Sequence, residues 1–327
     1  MTAPTQQQPA PTPLTGLPAA LTAALMVQTY AQAVAAIRAR IRTFLAGLFA
    51  SLGNYSNPET FIPTAVATMD AGQRMTAAYT AAYLSQLYGA LTGDTVSATA
   101  PIGDMTDQTL RGISASEVYR RPFNTLWTDL STGKPFAEAL KTAERRLDTL
   151  VQTDLQLATT HTARTVLAQQ PKVVGYRRVL SGSGHHCGLC ILASTQRYHI
   201  SDLMPIHPNC SCSVAQVVGD KDPGRSINSA VLTGSDPHGQ TPHGVNIYGP
   251  DATLDLGDLV QPVHDAIKER FGHSSASGSG RIDYRHVMLT HEHGELGPVL
   301  TVKDQHFLTQ REIAHFNAEN ERRAARR

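Results

Sequence analysis

From Leu14 to about Gln170 the apolar positions recur at three- and four-residue steps, the spacing of helices that each bury one face. Leu21, Leu25, Ala31, Val34, Ile37, Ile41, Phe44, Leu45 and Leu48 trace a first helix, and the stretch GNYSNPET breaks it. A second is expected from about Pro63 to Leu91, with Tyr79, Tyr83, Leu84, Leu87 and Tyr88 on related faces and hence in a core. Ser114 and Glu117 have capping-box spacing for a short third helix, which Pro122 should end near Arg121. The turn residues from Ser131 to Pro135 reset the chain, and a long fourth helix is expected from about Pro135 to Gln169.

After Pro171 the period changes. VVGYRRVLSG alternates like a strand, and SVAQVV, from Ser213 to Val218, reads as a second one. Together they predict a small sheet bracketing the loop between them. The chain from Gly219 to about Thr253 is rich in Gly, Pro, Asp, Ser and His and reads as an arm. Beyond it come a short helix (LGDLVQPVHDAIKERFG), a flexible linker (HSSASGSGR), two strands joined by a turn around HEHGELGP, and a charged helix ending in arginines. The predicted class is α+β, with a helical N-terminal half, a small β-containing Cys/His-rich domain and an extended C-terminal region with a hairpin. The expected divisions are a disordered N-terminus at 1–13, a helical domain at 14–170, the Cys/His-rich core at 171–218, the arm at 219–253 and the C-terminal elements at 254–327.

The predicted loop holds every cysteine of the chain, in CGLCILASTQRYHISDLMPIHPNCSC. The ligand spacing is C-x2-C, sixteen residues, then H-x2-C-x-C. Gly188 lets the first pair fold so that both sulfurs face one point. Pro208 and Asn209 favour a tight turn that brings His207 to Cys210. Cys210 and Cys212, two apart, point to one side of an extended chain. Five candidates therefore converge where tetrahedral zinc needs four: Cys187, Cys190 and Cys210, with either His207 or Cys212 completing the set. Such a site has no open position for water, so the expected zinc is structural, holding a loop with too little apolar content to fold alone. Reduced thiols without metal and a disulfide pair are the competing readings.

Composition narrows the function classes. Lys and Arg total 28 against 27 Asp and Glu, so no global charge favours nucleic acid. The N-terminus lacks a basic stretch followed by an apolar core, and LPAALTAALMV is too short to span a bilayer; no leader and no membrane partner are expected. A product made in a reducing cytoplasm follows, where clustered cysteines favour metal over disulfides.

The run from TLVQTDLQLATTHTAR through GYRRVLSG, CGLC and DLMPIHPNCSC resembles the Mu-F-type minor head proteins of tailed bacteriophages, with matching positions at Cys187, Cys190, His207, Pro208, Cys210 and Cys212. That family usually has arginine between the last two cysteines, where this chain has Ser211. HEHGELGPVLT is similar to the tail of related minor head proteins from phages of high-GC hosts, some of them labelled capsid maturation proteases. The likeness is clearest over 115–220 and 284–302. It implies a minor capsid protein present in few copies inside the virion head near the portal, assembled in the host cytoplasm and acting in head morphogenesis. The implied partners are the portal protein, the major capsid or scaffolding protein and the packaged DNA.

An enzyme is not expected from the residues themselves. No G-x-S-x-G elbow and no H-E-x-x-H helix occurs. If the chain is a capsid maturation protease, the candidates for its chemistry are Ser183, His185 and Cys187, in a Gly-rich loop where Ser181 and His186 also lie. Metal binding would silence the Cys187 thiol. His291 and His293 could share one side of a strand, and Arg322, Arg323, Arg326 and Arg327 could touch DNA phosphates beside acidic Glu319 and Glu321.

Overall fold

The fold was obtained as a computed structural model. It describes residues 19–96, 110, 113–180, 193–194, 197–200, 212–233, 288–293 and 297–302. Four helices come first: α1 (Ala19–Ala50), α2 (Ile62–Thr92), α3 (Ala115–Ser131) and α4 (Phe136–Ala168). Strands β1 (Val173–Val179), β2 (Arg197–Tyr198) and β3 (Ser213–Val218) follow, then helix α5 (Pro223–Thr233) and strands β4 (Met288–His293) and β5 (Gly297–Val302). The α+β class and the helical N-terminal half agree with the sequence pattern.

The break after α1 is built by local side-chain bonds. Asn54 Oδ1 accepts from Ser56 N at 2.8 Å, and Asn57 Oδ1 accepts from Glu59 N at 3.3 Å, capping a 3-10 turn over Pro58–Thr60. Ser114 caps α3 by accepting from Glu117 N at 3.3 Å, as its spacing predicts. Helix α3 does not stop at Pro122, however; it continues to Ser131. A proline inside a helix loses one backbone hydrogen bond and costs about 3 kcal/mol. Continuing the helix buries Phe123 and Leu126 completely, at roughly 2 kcal/mol or more each, which offsets that loss.

Two large apolar clusters, with a small third one of Ala77 and Ala158, make up the core among the described residues. One gathers Val27, Tyr30, Val34, Leu84, Leu87, Val166 and Leu167 from the helices with Tyr176, Val179, Val214 and Ala215 from the sheet. The other joins Leu45, Phe49, Phe61, Met69, Tyr119, Phe123, Leu126, Leu150 and Leu155. Polar contacts lie among the helices as well: Tyr30 Oη and Thr80 Oγ1 are 2.8 Å apart, Gln73 Nε2 donates to Asp154 O at 3.3 Å, and Tyr119 Oη donates to Asp154 Oδ2 at 2.5 Å. Tyr83, Leu84, Leu87 and Tyr88 are core residues, as their spacing predicts. Phe44 and Tyr79 are not, being 51% and 49% exposed. On α1 the stripe runs through Val27, Tyr30, Val34, Ile37, Leu45 and Phe49, and Phe44 lies one helical step, roughly 100°, to the side of Leu45.

The sheet has the order β2-β1-β3, antiparallel throughout. Val214 pairs with Arg178 and Gln216 with Tyr176, so these four side chains share one face. That face meets α2, because Gln216 Nε2 donates to Leu84 O at 2.7 Å, while Tyr83 Oη reaches the Val214 carbonyl at 2.9 Å. Helix α5 covers the other face. A Cβ at its Gly224 would lie 3.1 Å from both Arg177 Cβ and Val179 Cγ2, so a larger residue there would force these neighbours to give by a few tenths of an ångström. The stretch 219–253, expected from its composition to be an arm, thus begins with a docked helix. Separately, β4 and β5 form the antiparallel hairpin expected around HEHGELGP, with His291 opposite Val299 and His293 opposite Gly297.

Candidate functional site

The register of the sheet decides where the cysteine segment begins and ends. Val179, the last residue of β1, pairs with Ser213, the first of β3. The chain between them therefore leaves and returns at the same end of the sheet, and Cys212 sits at the point of return. The expectation of a sheet bracketing this segment holds. Strand β2, too short for a pattern to reveal, lies within the segment and pairs at Tyr176↔Tyr198 and Arg177↔Arg197.

Of the residues that sequence singles out here, Cys212 belongs to the described part of the structure; Ser183, His185, Cys187, Cys190, His207 and Cys210 lie outside it. Cys212 is buried, and Arg178 Nη1, from a side chain only 1% exposed, points to its Sγ at 3.7 Å. Tyr198 stacks on Tyr176 with ring centroids 5.3 Å apart. Burial pushes the Tyr198 hydroxyl well above the usual tyrosine range; the neighbouring Arg178 charge opposes that shift, and Tyr176 adds to it. Among the described residues no group of three or more His, Cys, Asp or Glu side chains is placed to hold a metal ion.

On the other face a polar node ties β1, α5 and Ser194 together. Arg177 donates from Nε and Nη2 to the Asp222 carboxylate, at 2.7 Å for the shortest contact, and from Nη1 to Ser194 O at 3.2 Å. Asp222 also starts α5, accepting from Arg225 N at 3.1 Å. Asn228, one turn and a half further on, is fully buried and bonds three backbone groups: Leu180 N at 2.9 Å, Arg178 O at 2.8 Å and Ser194 O at 3.1 Å. Sequence reasoning had not picked out Arg177, Asp222 or Asn228. Asp222 before Pro223 is an N-cap signal that would have located α5; a buried asparagine carries no such local sign.

The junction of β1 and β2 depends on Gly175. A Cβ there would lie 2.6 Å from the Tyr198 carbonyl oxygen, which belongs to backbone and cannot rotate away. Gly175→Ala is expected to push β2 from β1 and lower stability by about 1–3 kcal/mol. Chemical denaturation followed by circular dichroism measures the loss; an unchanged midpoint would mean that β2 does not lie against β1.

A second feature is an open groove of about 540 Å³ at the other end of α1, lined by Leu52, Tyr55, Leu126, Trp127, Leu130 and Phe136 among others. Trp127 Nε1 donates to Tyr55 O at 3.2 Å, and the Tyr55 and Phe136 rings are 5.8 Å apart.

The family model described as "VG15 protein" matches residues 22–235, well over half of the chain. The chain belongs to the VG15 protein family. VG15 proteins are viral, and the chain is accordingly a phage protein. The matched range runs from the first turn of α1 to just past the end of α5, so the node around Arg177, Asp222 and Asn228 lies wholly inside the VG15 region. No curated protein and no solved structure matches the chain. No helix among the described residues is long and apolar enough to cross a membrane.

Cys212 is the one member of the predicted donor set among the described residues, and the sheet register returns the chain there to the end from which it left.

Proposed function

We propose that this VG15 protein is a Mu-F-like minor capsid protein, carried in few copies inside the head near the portal vertex and acting in head morphogenesis. The observation that carries the reading is the pairing of Val179 with Ser213. The described chain leaves β1 at Val179 and returns at Cys212 and Ser213, so the two ends of the segment that carries the C-x2-C…H-P-x-C-x-C pattern meet at one end of a small sheet that follows a helical half, which supports the reading. Membership of a viral family supports it independently. The portal protein and the major capsid or scaffolding protein are the proposed partners.

Zinc held by Cys187, Cys190 and Cys210, with His207 or Cys212, is the proposed structural centre. Adding a strong chelator should then lower the melting temperature by roughly 5 °C or more, with one zinc released per chain. A melting curve indifferent to chelator, from protein without bound zinc, would remove the metal from the proposal.

The function itself is tested on particles. Heads assembled with and without the chain are compared by mass spectrometry for its presence, its copy number relative to the portal, and the intact mass of the major capsid protein. Retention of the chain in few copies, with assembly failing in its absence and the capsid mass unchanged, is the expected result. A capsid terminus that appears only when the chain is present would replace this reading with a maturation protease. Absence of the chain from purified heads would overturn the virion assignment.

A further inference from the structure

Helices α1 and α2 lie antiparallel and side by side. The Tyr30 and Tyr83 rings stack at 4.3 Å, a Cβ at Gly72 would run into Ile41 Cδ1, and the Phe49 and Phe61 rings are 5.4 Å apart. Both helices turn one side to α4. There Arg42 Nη2 donates to Asp148 Oδ2 at 2.9 Å, Arg38 Nη2 to Gln156 Oε1 at 3.5 Å and Gln73 Nε2 to Asp154 O at 3.3 Å. The side of the pair away from α4 faces outward.

That outward face lacks the charges of a solvated helix surface. Neither helix contains a lysine or a glutamate. The charged residues of α2 are Asp70 and Arg74, paired with each other at 2.8 Å, and of the two Arg74 alone is an exposed residue. Helices α3 and α4, by contrast, expose Glu117, Glu138, Lys141 and Arg145. In place of such charges α1 exposes Phe44, 51% accessible, in line with Ala36 and Arg40 at four-residue steps. Helix α2 exposes Met75 and Tyr79, each 49% accessible, beside Ala78.

We propose that a second copy of this chain covers this face, the α1–α2 pairs of two protomers packing against each other across a two-fold axis. Helices that are apolar all round are buried on both sides, and here the fold buries only one. The exposed residue types are those of an interface: Phe, Tyr, Met and Arg are present, and Lys and Glu are absent. The size fits a stable dimer. From Thr29 to Ala50 and from Thr64 to Gln86 the face runs about 35 Å by 20 Å, or about 700 Å², against the roughly 800 Å² per partner of a stable interface. The face carries no run of like charge that would select a strongly acidic or basic partner. A second copy brings the same apolar surface and needs no charge complement.

The test measures the mass of the full chain in solution by sedimentation equilibrium across a range of concentrations. A species of twice the 35.2 kDa chain is expected, with a dissociation constant in the micromolar range or tighter. Met75→Glu should raise that constant by about 100-fold or more, since a two-fold contact is isologous and each dimer would bury two unpaired carboxylates. Tyr79→Glu should act alike from the next turn, and it is read instead if Met75→Glu fails to fold. Both side chains are half exposed in one copy, so circular dichroism should show the helices unaltered. Phe136→Glu is the comparison: it puts the same charge on an equally exposed ring at the start of α4, in the groove beside Trp127, and should leave the mass at two chains. A single-chain mass at every concentration would overturn the inference and leave the face to a different protein. So would a two-chain species that Met75→Glu and Tyr79→Glu leave intact, or one that Phe136→Glu disperses equally well.

Discussion

Asp222→Ala will destabilise the protein by about 3–5 kcal/mol, because it leaves the Arg177 guanidinium buried without its counter-ion. The two side chains are 8% and 15% exposed, so water cannot replace the lost carboxylate at little cost. The change also removes the cap from the start of α5, worth about 1 kcal/mol. Urea unfolding monitored by circular dichroism gives the measurement. The double variant Arg177→Met/Asp222→Leu separates the causes: an apolar pair of similar bulk should recover a large part of the loss, since no charge is then left stranded. A single-variant loss below about 1 kcal/mol would show that the ion pair behaves like an exposed one.

Phe49→Ala is expected to cost a similar amount, about 3–5 kcal/mol, for a different reason. Phe49 is fully buried, and its ring contacts three others edge-on: Tyr55 at 5.4 Å, Phe61 at 5.4 Å and Phe123 at 5.0 Å between centroids. These come from the α1–α2 connection, the start of α2 and from α3, so the rings around the cavity cannot all close on it at once. The cluster has its own reporter. Trp127 is the only tryptophan of the chain, and its ring lies 6.2 Å from Phe123. Loosening of the cluster should shift its fluorescence toward that of a solvated indole before the helical signal is lost. A variant with unaltered Trp127 emission and unaltered stability would mean that Phe49 is not the hub its contacts describe.

The node and the aromatic cluster differ in how visible they are beforehand. Phe49 is not among the positions that trace the first helix, but it lies one turn after Leu45, which is, and its ring partners are set by how α1, α2 and α3 meet. Asn228 falls in a stretch whose composition reads as an arm. It is buried because α5 docks on the sheet face that carries Arg177 and Val179, and that face exists only once β1 and β3 have paired.

By itself the sequence determined the order and type of most elements, because helix and strand periods and capping residues act over a few neighbouring positions. It also determined that Cys187, Cys190, His207, Cys210 and Cys212 crowd into one segment, since that is a matter of spacing alone. Tertiary structure decided the rest. Pro122 became the interior of a helix because the burial of Phe123 and Leu126 outweighed a local breaker. Phe44 and Tyr79 turned outward because α1 and α2 present only one stripe each to their neighbours. Arg177 met Asp222, and Asn228 met Leu180 and Ser194, across separations of 45, 48 and 34 residues. Contacts at such distances depend on which faces pack together, and no local pattern encodes that.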